Sequence, residues 1–412
     1  MPSARSERPL STPPAPRPRV LVVGGGPFQL DVIAAARELG SWVLVVDRNP
    51  DAPGMALADQ ALPIDTTDVD GVIRAAREAG VEGVLTAASD AAVAAVAAVG
   101  EALGLPAVPP GAAARCRDKL ETFRCLDACG LAVPRTVLAR DGSGVAAAVD
   151  EVGGLPVVLK PRSAAGGRGV TIVRDAADLP RAFARAARYG EGALVQRFVR
   201  GEAIGVEAFF WRGHLASALL MDDQFAPGIV SPVGHSIPST LPIANQERVL
   251  DDVEAFARAL DLRDGPANFD LRFEDGRTVL LEVNARLGGN SITDLVRSAY
   301  DVDLSAATIR ASLGADPRED LVLGPPTPSA ARIALKRGQG RAHVTGGIDE
   351  LAHRPGVRLV ELTVTEGEPA RLRVDEHAIV GRCLVQAADP RQAARRAEGV
   401  ASWLARKVEL RP

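Results

Sequence analysis

One stretch of this chain decides its fold, and it reads Asn268-Phe-Asp-Leu-Arg-Phe-Glu-Asp-Gly-Arg-Thr-Val-Leu-Leu-Glu-Val-Asn-Ala-Arg-Leu-Gly-Gly-Asn-Ser291. Strand-forming residues predict β-strands over residues 268–273 and 279–283, and the Glu-Asp-Gly-Arg segment between them predicts a tight hairpin turn. Asp270 and Glu282 then lie on adjacent strands, while Glu282 and Asn284 are two residues apart and project from the same face. Three side chains that offer oxygen ligands therefore converge on one face of a hairpin.

This set of oxygen ligands predicts a metal site. Mg²⁺ prefers carboxylate, amide and phosphate oxygens, and it neutralises the charge of phosphate groups. Arg286 continues the same face, where we expect it to hold a transferring phosphoryl group or the oxyanion of an attacked acyl phosphate. Gly289 and Asn290 lead into a helix predicted to begin at Ser291, whose free amides favour a substrate carboxylate. A hairpin with merely solvated carboxylates is the alternative, but it does not explain why an apolar strand carries Glu, Asn and Arg.

A glycine-rich loop that follows a lysine lies upstream of the hairpin. A predicted strand delivers Lys160, and Gly166, Gly167 and Gly169 follow, which allow close approach to phosphate oxygens and offer free N–H donors. The lysine precedes the glycines, which is the reverse of the Walker P-loop order. A flexible turn beside a surface lysine is the alternative. Because only four of the 48 basic residues are lysine, a retained lysine favours a functional role, and Lys119, on a helix predicted over 115–130, is expected to form a second phosphate clamp.

A third segment, Gln196-Arg197-Phe198-Val199, is the next candidate motif along the chain after the glycine loop. Its strand edge can pair backbone groups with an adenine ring, and Glu202 can accept hydrogen bonds from ribose hydroxyls. An ordinary strand and turn is the alternative. The position next to a phosphate loop favours a nucleotide site.

The alternation of strands and helices, and the glycine- and proline-rich segments between them, divide the chain into units. Strands and helices alternate from Val20 onward, which predicts a parallel sheet with right-handed crossovers. A glycine turn at 24–26 with Asp47 beyond it lacks the third glycine of GxGxxG, so a turn that merely needs glycine is favoured over a dinucleotide site. The predicted units are a disordered tail over 1–19, a βαβ unit over 20–114, an α+β unit over 115–320 with a lid at about 132–195, and a small C-terminal α+β unit over 329–412.

Composition restricts the partners. A net charge of −4 and a pI of about 5.9 give no general attraction to nucleic acid or anionic lipid. No apolar run approaches the roughly 20 residues that span a bilayer. We therefore expect a cytoplasmic protein with small-molecule substrates, without nucleic acid or membrane partners.

The order of these motifs resembles the ATP-grasp superfamily over roughly residues 20–406. The resemblance implies a βαβ domain, an ATP-grasp fold whose two α+β halves close on ATP, and a small C-terminal domain, as in biotin carboxylase and the L-amino-acid ligases. Gln196 stands where many members have glutamate, and Asp270 stands where glutamate is commoner. The roles implied are phosphate binding by Lys119 and Lys160, a mobile loop over ATP at Gly166, Gly167 and Gly169, ribose binding by Glu202, metal binding by Asp270, Glu282 and Asn284, and support of the acyl-phosphate step by Arg286.

The resemblance implies an ATP-dependent ligase that activates a carboxylate as an acyl phosphate and passes it to an amine, with Mg²⁺, or alternatively Mn²⁺, as the metal. In the L-amino-acid ligases, substrate contacts fall where this chain has residues 224–242, so His235 and Ser236 join Gly289 and Asn290 as candidate substrate contacts. For His235 a purely structural role is the alternative. The other enzymatic hypothesis is a carboxylase of the biotin carboxylase or purine-pathway type. A dinucleotide-binding protein would leave residues 154–291 unexplained. Relatives are often dimers, so a homodimer is the expected assembly.

Overall fold

The first unit is a parallel sheet with helices packed against it, as the alternation of strands and helices predicts. The computed structural model describes residues 17–370, 372–374 and 377–412. Strands of the first sheet pair in the order β3-β2-β1-β4 and are parallel throughout. The elements are β1 (Arg19–Val23), α1 (Leu30–Glu38), β2 (Trp42–Val46), β3 (Gln60–Leu62), α2 (Val69–Ala79), β4 (Gly83–Leu85) and α3 (Val93–Leu103).

The predicted disordered tail over 1–19 lies largely outside the described residues, but its last three residues are folded. Arg17 forms an ion pair with Asp59 at 3.0 Å, the carbonyl of Pro18 accepts a hydrogen bond from Trp42, and Arg19 opens β1. Residues 17–19 therefore belong to the folded part of the protein and not to a disordered tail.

Two helices replace the single helix predicted over 115–130. They are α4 (Pro110–Arg117) and α5 (Lys119–Ala128), and Asp118 between them is extended. The Asp118 carboxylate accepts hydrogen bonds from the amides of Leu120 and Glu121, which caps α5. The break places Lys119 in the first turn of a helix, where it is buried and not on a solvated face.

The segment predicted to be a lid, and called the lid below, is a small antiparallel sheet with two helices. Its strands pair in the order β5-β8-β6-β7. The sequence predicts one helix over 176–189, but the structure has a shorter α-helix with a 3₁₀ turn at each end. The elements are β5 (Thr136–Ala139), α6 (Val145–Glu151), β6 (Val157–Lys160), β7 (Thr171–Val173), α7 (Leu179–Ala186) and β8 (Ala193–Arg197).

The central unit forms one half of the main sheet. The strand-forming residues over 206–218 predict one strand, but the structure has a hairpin there, because Arg212 and Gly213 both adopt positive φ (51° and 80°) and reverse the chain. The sequence also predicts a loop over 224–242, whereas this segment contributes the strand β11. The elements are β9 (Glu202–Trp211), β10 (His214–Gln224), β11 (Gly234–Ile237), α8 (Ile243–Leu260), β12 (Gly265–Glu274), β13 (Arg277–Asn284), α9 (Ile292–Tyr300) and α10 (Leu304–Ser312).

The C-terminal unit continues the same sheet. Its elements are β14 (Ser329–Arg337), β15 (Gly340–Val344), α11 (Asp349–Ala352), β16 (Val357–Leu362), β17 (Pro369–Ala370), β18 (Leu372–Val374), β19 (His377–Gln386), α12 (Pro390–Arg406) and β20 (Val408–Arg411). The main sheet runs β13-β12-β9-β10-β11-β14-β19-β16 with β18 on β19, and β15 pairs with β17 and β20 in a separate sheet. The pairing of β11 with β14 thus ties the central unit to the C-terminal one. Within the described part of the chain, no helix combines the length and apolar character needed to cross a bilayer.

Candidate active site

One cavity of about 590 Å³ opens between the lid, the central sheet, the first unit and the C-terminal unit. Its volume lies in the range of about 300–1,000 Å³ that is usual for small-molecule sites. Most residues singled out from the sequence line it: Lys119, Lys160, Gly166, Gly167, Gln196, Arg197, Phe198, Val199, His235, Asp270, Glu282, Asn284, Arg286, Gly289 and Asn290. Gly169, Glu202 and Ser236 do not appear in its lining.

The hairpin that carries the candidate metal ligands forms as predicted. Asp275 and Gly276 turn the chain with positive φ, and Asp270 lies directly opposite Glu282 in the register of β12 and β13. Leu271 pairs with Leu280, so Leu281 is an extra residue in β13 and forms a β-bulge beside Glu282. The bulge frees the carbonyl of Leu281 to accept a hydrogen bond of 3.3 Å from Lys160.

Asp270 is the least satisfied carboxylate of the site. Burial raises the pKa of Asp270 well above its ordinary value, and the neighbouring Asp223 and Glu282 carboxylates raise it further. Within the described residues, no hydrogen bond reaches this carboxylate, and no group of three or more His, Cys, Asp and Glu side chains is arranged to hold a metal. The donor set is therefore two facing carboxylates and the Asn284 amide, which suits a hard divalent cation that takes its remaining ligands from phosphate.

The two lysines approach the hairpin from different elements. The Nζ atom of Lys119 lies 3.2 Å from Glu282 and donates to the carbonyl of Ala164 at 2.9 Å. Lys160, at the end of β6, lies over the Phe123 ring at 4.9 Å. Burial and, to a lesser extent, the neighbouring Lys119 lower the pKa of Lys160 to about 7, although Glu282 and Asp270 oppose the change. Anionic phosphate oxygens bound between the two ammonium groups would be attracted by both positive charges.

The glycine loop bends over the cavity in a left-handed conformation. Gly167 (φ +69°) lies so close to the β10–β11 connection that a Cβ atom there would be 2.1 Å from Ser231 Oγ. Gly169 (φ +77°) is instead packed against Pro161 and Tyr189, which explains why it does not line the cavity. The lid loop therefore contacts the segment that carries the candidate substrate residues.

The strand that follows the loop is anchored within the lid and on the main sheet. Gln196 is buried and donates a hydrogen bond of 2.9 Å to Thr136 Oγ1, and Arg197 forms an ion pair of 2.8 Å with Glu274. Phe198 and Val199 follow the end of β8 and line the cavity. Glu202 begins β9 and is exposed just outside the cavity, next to Ala203, which lines it.

Arg286 is held by a residue from the first unit. Its Nε and Nη2 atoms lie 2.8 and 2.7 Å from the same carboxylate oxygen of Asp90, and Nη1 donates to the carbonyl of Leu287 at 3.1 Å. A bridge between Ala87 and Leu287 fixes the approach of the two segments. The sequence did not reveal Asp90 as a partner of Arg286, because the two residues are 196 positions apart in the chain.

A buried carboxylate, that of Glu207, holds the turn after Arg286 by hydrogen bonds. It accepts hydrogen bonds from the amide of Gly288 at 3.0 Å and from Asn268 Nδ2 at 3.0 Å. Burial raises the pKa of Glu207 to about 7, although these hydrogen bonds and Arg286 oppose the rise. The predicted helix begins one residue later than expected, at Ile292, and Asn290 donates to the carbonyl of Pro232 at 3.2 Å.

The two candidate substrate residues on β11 face different environments. His235 lines the cavity, and its Nδ1 atom lies 2.7 Å from Asp223 Oδ1. Ser236, the next residue along the strand, is buried on the other face, as the two-residue period of a strand requires.

Known proteins resemble this chain in sequence and in structure. Residues 116–290 match the ATP-grasp domain family. The D-alanine--D-alanine ligase of Desulforudis audaxviator is 31% identical over 268 residues, which cover 58% of this chain and 85% of that ligase. An uncharacterized protein of Sinorhizobium fredii is 29% identical over 356 residues, covering 82% of this chain and 72% of that protein. The crystal structure of L-amino acid ligase from Bacillus licheniformis shares the fold with a TM-score of 0.78 and 19% identity, covering 96% of this chain and 99% of that one.

Proposed function

This chain belongs to the ATP-grasp superfamily and is a carbon–nitrogen ligase that uses ATP, and on that premise we propose that it converts a carboxylate into an acyl phosphate and joins it to an amine. The products would be an amide, ADP and phosphate. The observation that carries the proposal is that one cavity is lined by two lysines, the carboxylate hairpin, Arg286 and several apolar side chains.

The nucleotide end of the cavity is assigned to the lid and the hairpin. Lys119, Lys160 and the glycine loop are proposed to hold the phosphates, the backbone of residues 196–199 the adenine, and Glu202 the ribose after a small movement of the lid. Asp270, Glu282 and Asn284 are proposed to hold Mg²⁺, with Mn²⁺ as the alternative. When bound there, such an ion neutralises charge on the nucleotide phosphates.

The other end of the cavity is assigned to the acid and the amine. Arg286 is proposed to stabilise the charge that develops at the acyl phosphate, and the backbone of Gly289 and Asn290 to bind a substrate carboxylate. Phe28, Ile292 and Ile379 add apolar side chains to the lining of the same cavity. Bicarbonate, the acid of a carboxylase, has no apolar part for these side chains to contact, so a larger acid is favoured.

A substrate screen tests the proposed function. The purified full chain is incubated with ATP and Mg²⁺ over a panel of acids, each with and without a panel of amines, and released phosphate and product masses are measured. Amino acids come first, because two of the similar proteins are named for ligating them. We expect phosphate release that depends on an acid and an amide product that requires an amine. Phosphate release with bicarbonate alone, without an amide from any acid, would favour the carboxylase instead.

Replacing Lys160 with arginine tests the phosphate assignment. The buried ammonium fits between Phe123 and the carbonyl of Leu281, and a planar guanidinium is too large for that space. We expect Lys160→Arg to weaken ATP binding roughly 10–100-fold, the effect of losing a hydrogen bond to a charged group of about 1.5–3 kcal/mol. The matched control is Lys336→Arg, because Lys336 also donates to a backbone carbonyl but lies in the C-terminal unit. Equal ATP dissociation constants for both variants by calorimetry would show that Lys160 is only structural.

A further inference from the structure

A buried histidine–carboxylate pair lies at the substrate end of the cavity. His235 and Asp223 are direct partners in the register of β11 and β10, and their side chains are 6% and 3% exposed. The Nδ1 atom of His235 lies 2.7 Å from Asp223 Oδ1, and both residues line the cavity. Because the strand pairing fixes both residues, the ring cannot turn away from the carboxylate without breaking a buried contact.

The hydrogen bond to Asp223 selects one tautomer of the neutral His235 ring. A carboxylate only accepts hydrogen bonds, so Nδ1 must carry the proton and donate it to Asp223, which leaves the lone pair of a neutral ring on Nε2. Within the described part of the chain, no hydrogen bond is made by Nε2, and the atom is not among the buried polar atoms that lack a partner. Nε2 is therefore free to accept a proton from a molecule in the cavity.

The pair faces the same side of the sheet as the candidate metal ligands. Gly205 on β9 is the direct partner of Asp270 on β12. A Cβ atom on Gly205 would lie 2.8 Å from Asp223 Oδ1, so the Asp223 carboxylate occupies the space above that glycine, next to Asp270. The influence of Asp223 on the pKa of Asp270 agrees with this proximity. The pair thus stands beside the candidate metal ligand Asp270, in the same cavity as Arg286.

We propose that His235, oriented by Asp223, is the general base that removes the proton from the attacking amine. This inference rests on the proposed function. The amine nitrogen forms a bond to the carbonyl carbon of the acyl phosphate, the bond from that carbon to the phosphate oxygen breaks, and phosphate leaves with the electron pair. The proton released from nitrogen passes to Nε2, Asp223 stabilises the resulting imidazolium, and the ring returns the proton to water after the product leaves. Asp223 acts through the histidine and is a positioning residue.

A general base acts only in its unprotonated form, so the amide-forming step is expected to depend on pH. The charged side chains on the elements around β11 include Asp222 and Asp223 on β10, Glu207 on β9, Asp270 on β12, Arg332 on β14 with Glu398 on α12, and Asp294 on α9 with Arg382 on β19. Amide formation should therefore fall as the pH drops and the ring takes up a proton.

The test separates acyl phosphate formation from amine attack. Hydroxylamine is a neutral nucleophile that captures acyl phosphates as hydroxamates without help from a base. The full chain, ATP, Mg²⁺ and an equimolar pool of the twenty common L-amino acids are incubated with or without hydroxylamine, and hydroxamates and dipeptides are quantified by mass spectrometry. For His235→Gln we expect dipeptide formation to fall about 10²–10⁴-fold, the usual contribution of a general base, while hydroxamate formation changes less than about threefold. Asp223→Asn should behave alike, because its amide would donate to Nδ1 and place the ring proton on Nε2.

Controls distinguish the possible failures. His343→Gln is the matched control, since His343 also lies 2.7 Å from a carboxylate, Glu366, but on the surface of the C-terminal unit. It should change neither product.

The pH profile of dipeptide formation should lose its acidic limb in His235→Gln, and thermal unfolding and ATP affinity report whether the variant is folded. An equal loss of hydroxamate and dipeptide in a folded variant, or an unchanged pH profile, would overturn the base assignment. If the unmodified protein makes hydroxamate but His235→Gln still makes dipeptide normally, His235 is not the base, while the proposed ligase function stands. If the unmodified protein makes neither product with any acid, the proposed function is wrong, and the base assignment is wrong with it.

Discussion

Glu282→Gln should abolish ATP turnover in a protein that remains folded, with a loss of at least about 10²–10³-fold. The substitution keeps the shape of the side chain but removes one of the two charges of the candidate metal site. Stability should change little, because two effects oppose each other. The variant loses the ion pair between Glu282 and Lys119, and it also loses the repulsion between Glu282 and Asp270 that raises the pKa of Asp270.

The measurement is phosphate release together with thermal unfolding, over a range of Mg²⁺ concentrations. Partial recovery at high Mg²⁺ would agree with weakened metal binding. The matched control is Glu254→Gln, which removes the same charge from the partly exposed face of α8, where Glu254 lies 3.6 Å from Arg258, one helical turn away. Near-normal turnover by Glu282→Gln at limiting Mg²⁺ would contradict the metal assignment.

Arg286→Ala should separate nucleotide binding from chemistry. The arginine follows the hairpin and is held by Asp90 of the first unit and not by the lid that carries Lys160, so it is expected to stabilise charge at the acyl phosphate more than it stabilises bound ATP. Removing one such contact typically lowers turnover by about 10²–10³-fold, or roughly 3–4 kcal/mol, and ATP affinity should change less than about threefold. Calorimetry with ATP and mass spectrometry of the amide product provide the two measurements.

The ion pair with Asp90 makes a sharper control possible. Truncating Arg286 leaves the Asp90 carboxylate, 25% exposed, without its partner beside the reacting groups. The double variant Arg286→Ala with Asp90→Asn removes that residual charge. If turnover stays equally low, the missing guanidinium is the cause; if turnover recovers, the harm came from the unpaired carboxylate. A loss of ATP affinity as large as the loss of turnover would show that Arg286 binds nucleotide instead.

Local patterns were sufficient to predict several elements. The sequence predicts a closing helix from Pro390 to Arg406, which are the limits of α12, and the hairpin of β12 and β13 forms around Asp275-Gly276 as its turn residues require. The break between α4 and α5 was also visible in principle, because Asp118 and Glu121 have the spacing of a capping box. The helical period across the break concealed it. The length of β9 and β10 was misjudged because Arg212-Gly213 is a less familiar turn signal than Asp-Gly.

The residues that support the site were harder to predict. Asp90, Glu207 and Asp223 gain their roles from partners that are distant in sequence, so spacing alone could not assign them. Glu207 did leave a signal, since it is a single carboxylate within the apolar run of β9. A buried charge of this kind requires hydrogen-bond partners, and the amide of Gly288 supplies one. Which turn would supply it depends on the order of strands in the sheet, which local periodicity does not contain.

Transfer of an oxygen isotope tests the central claim most directly. An acid that supports phosphate release is labelled with ¹⁸O in its carboxylate and incubated with the full chain, ATP, Mg²⁺ and its amine, and the phosphate is analysed by mass spectrometry. If the carboxylate attacks the terminal phosphorus of ATP, the bridging oxygen leaves with phosphate when the amine displaces it, so each amide formed yields one phosphate with a single ¹⁸O. Unlabelled phosphate formed alongside the labelled amide, or label recovered in AMP, would contradict activation of the acid as an acyl phosphate.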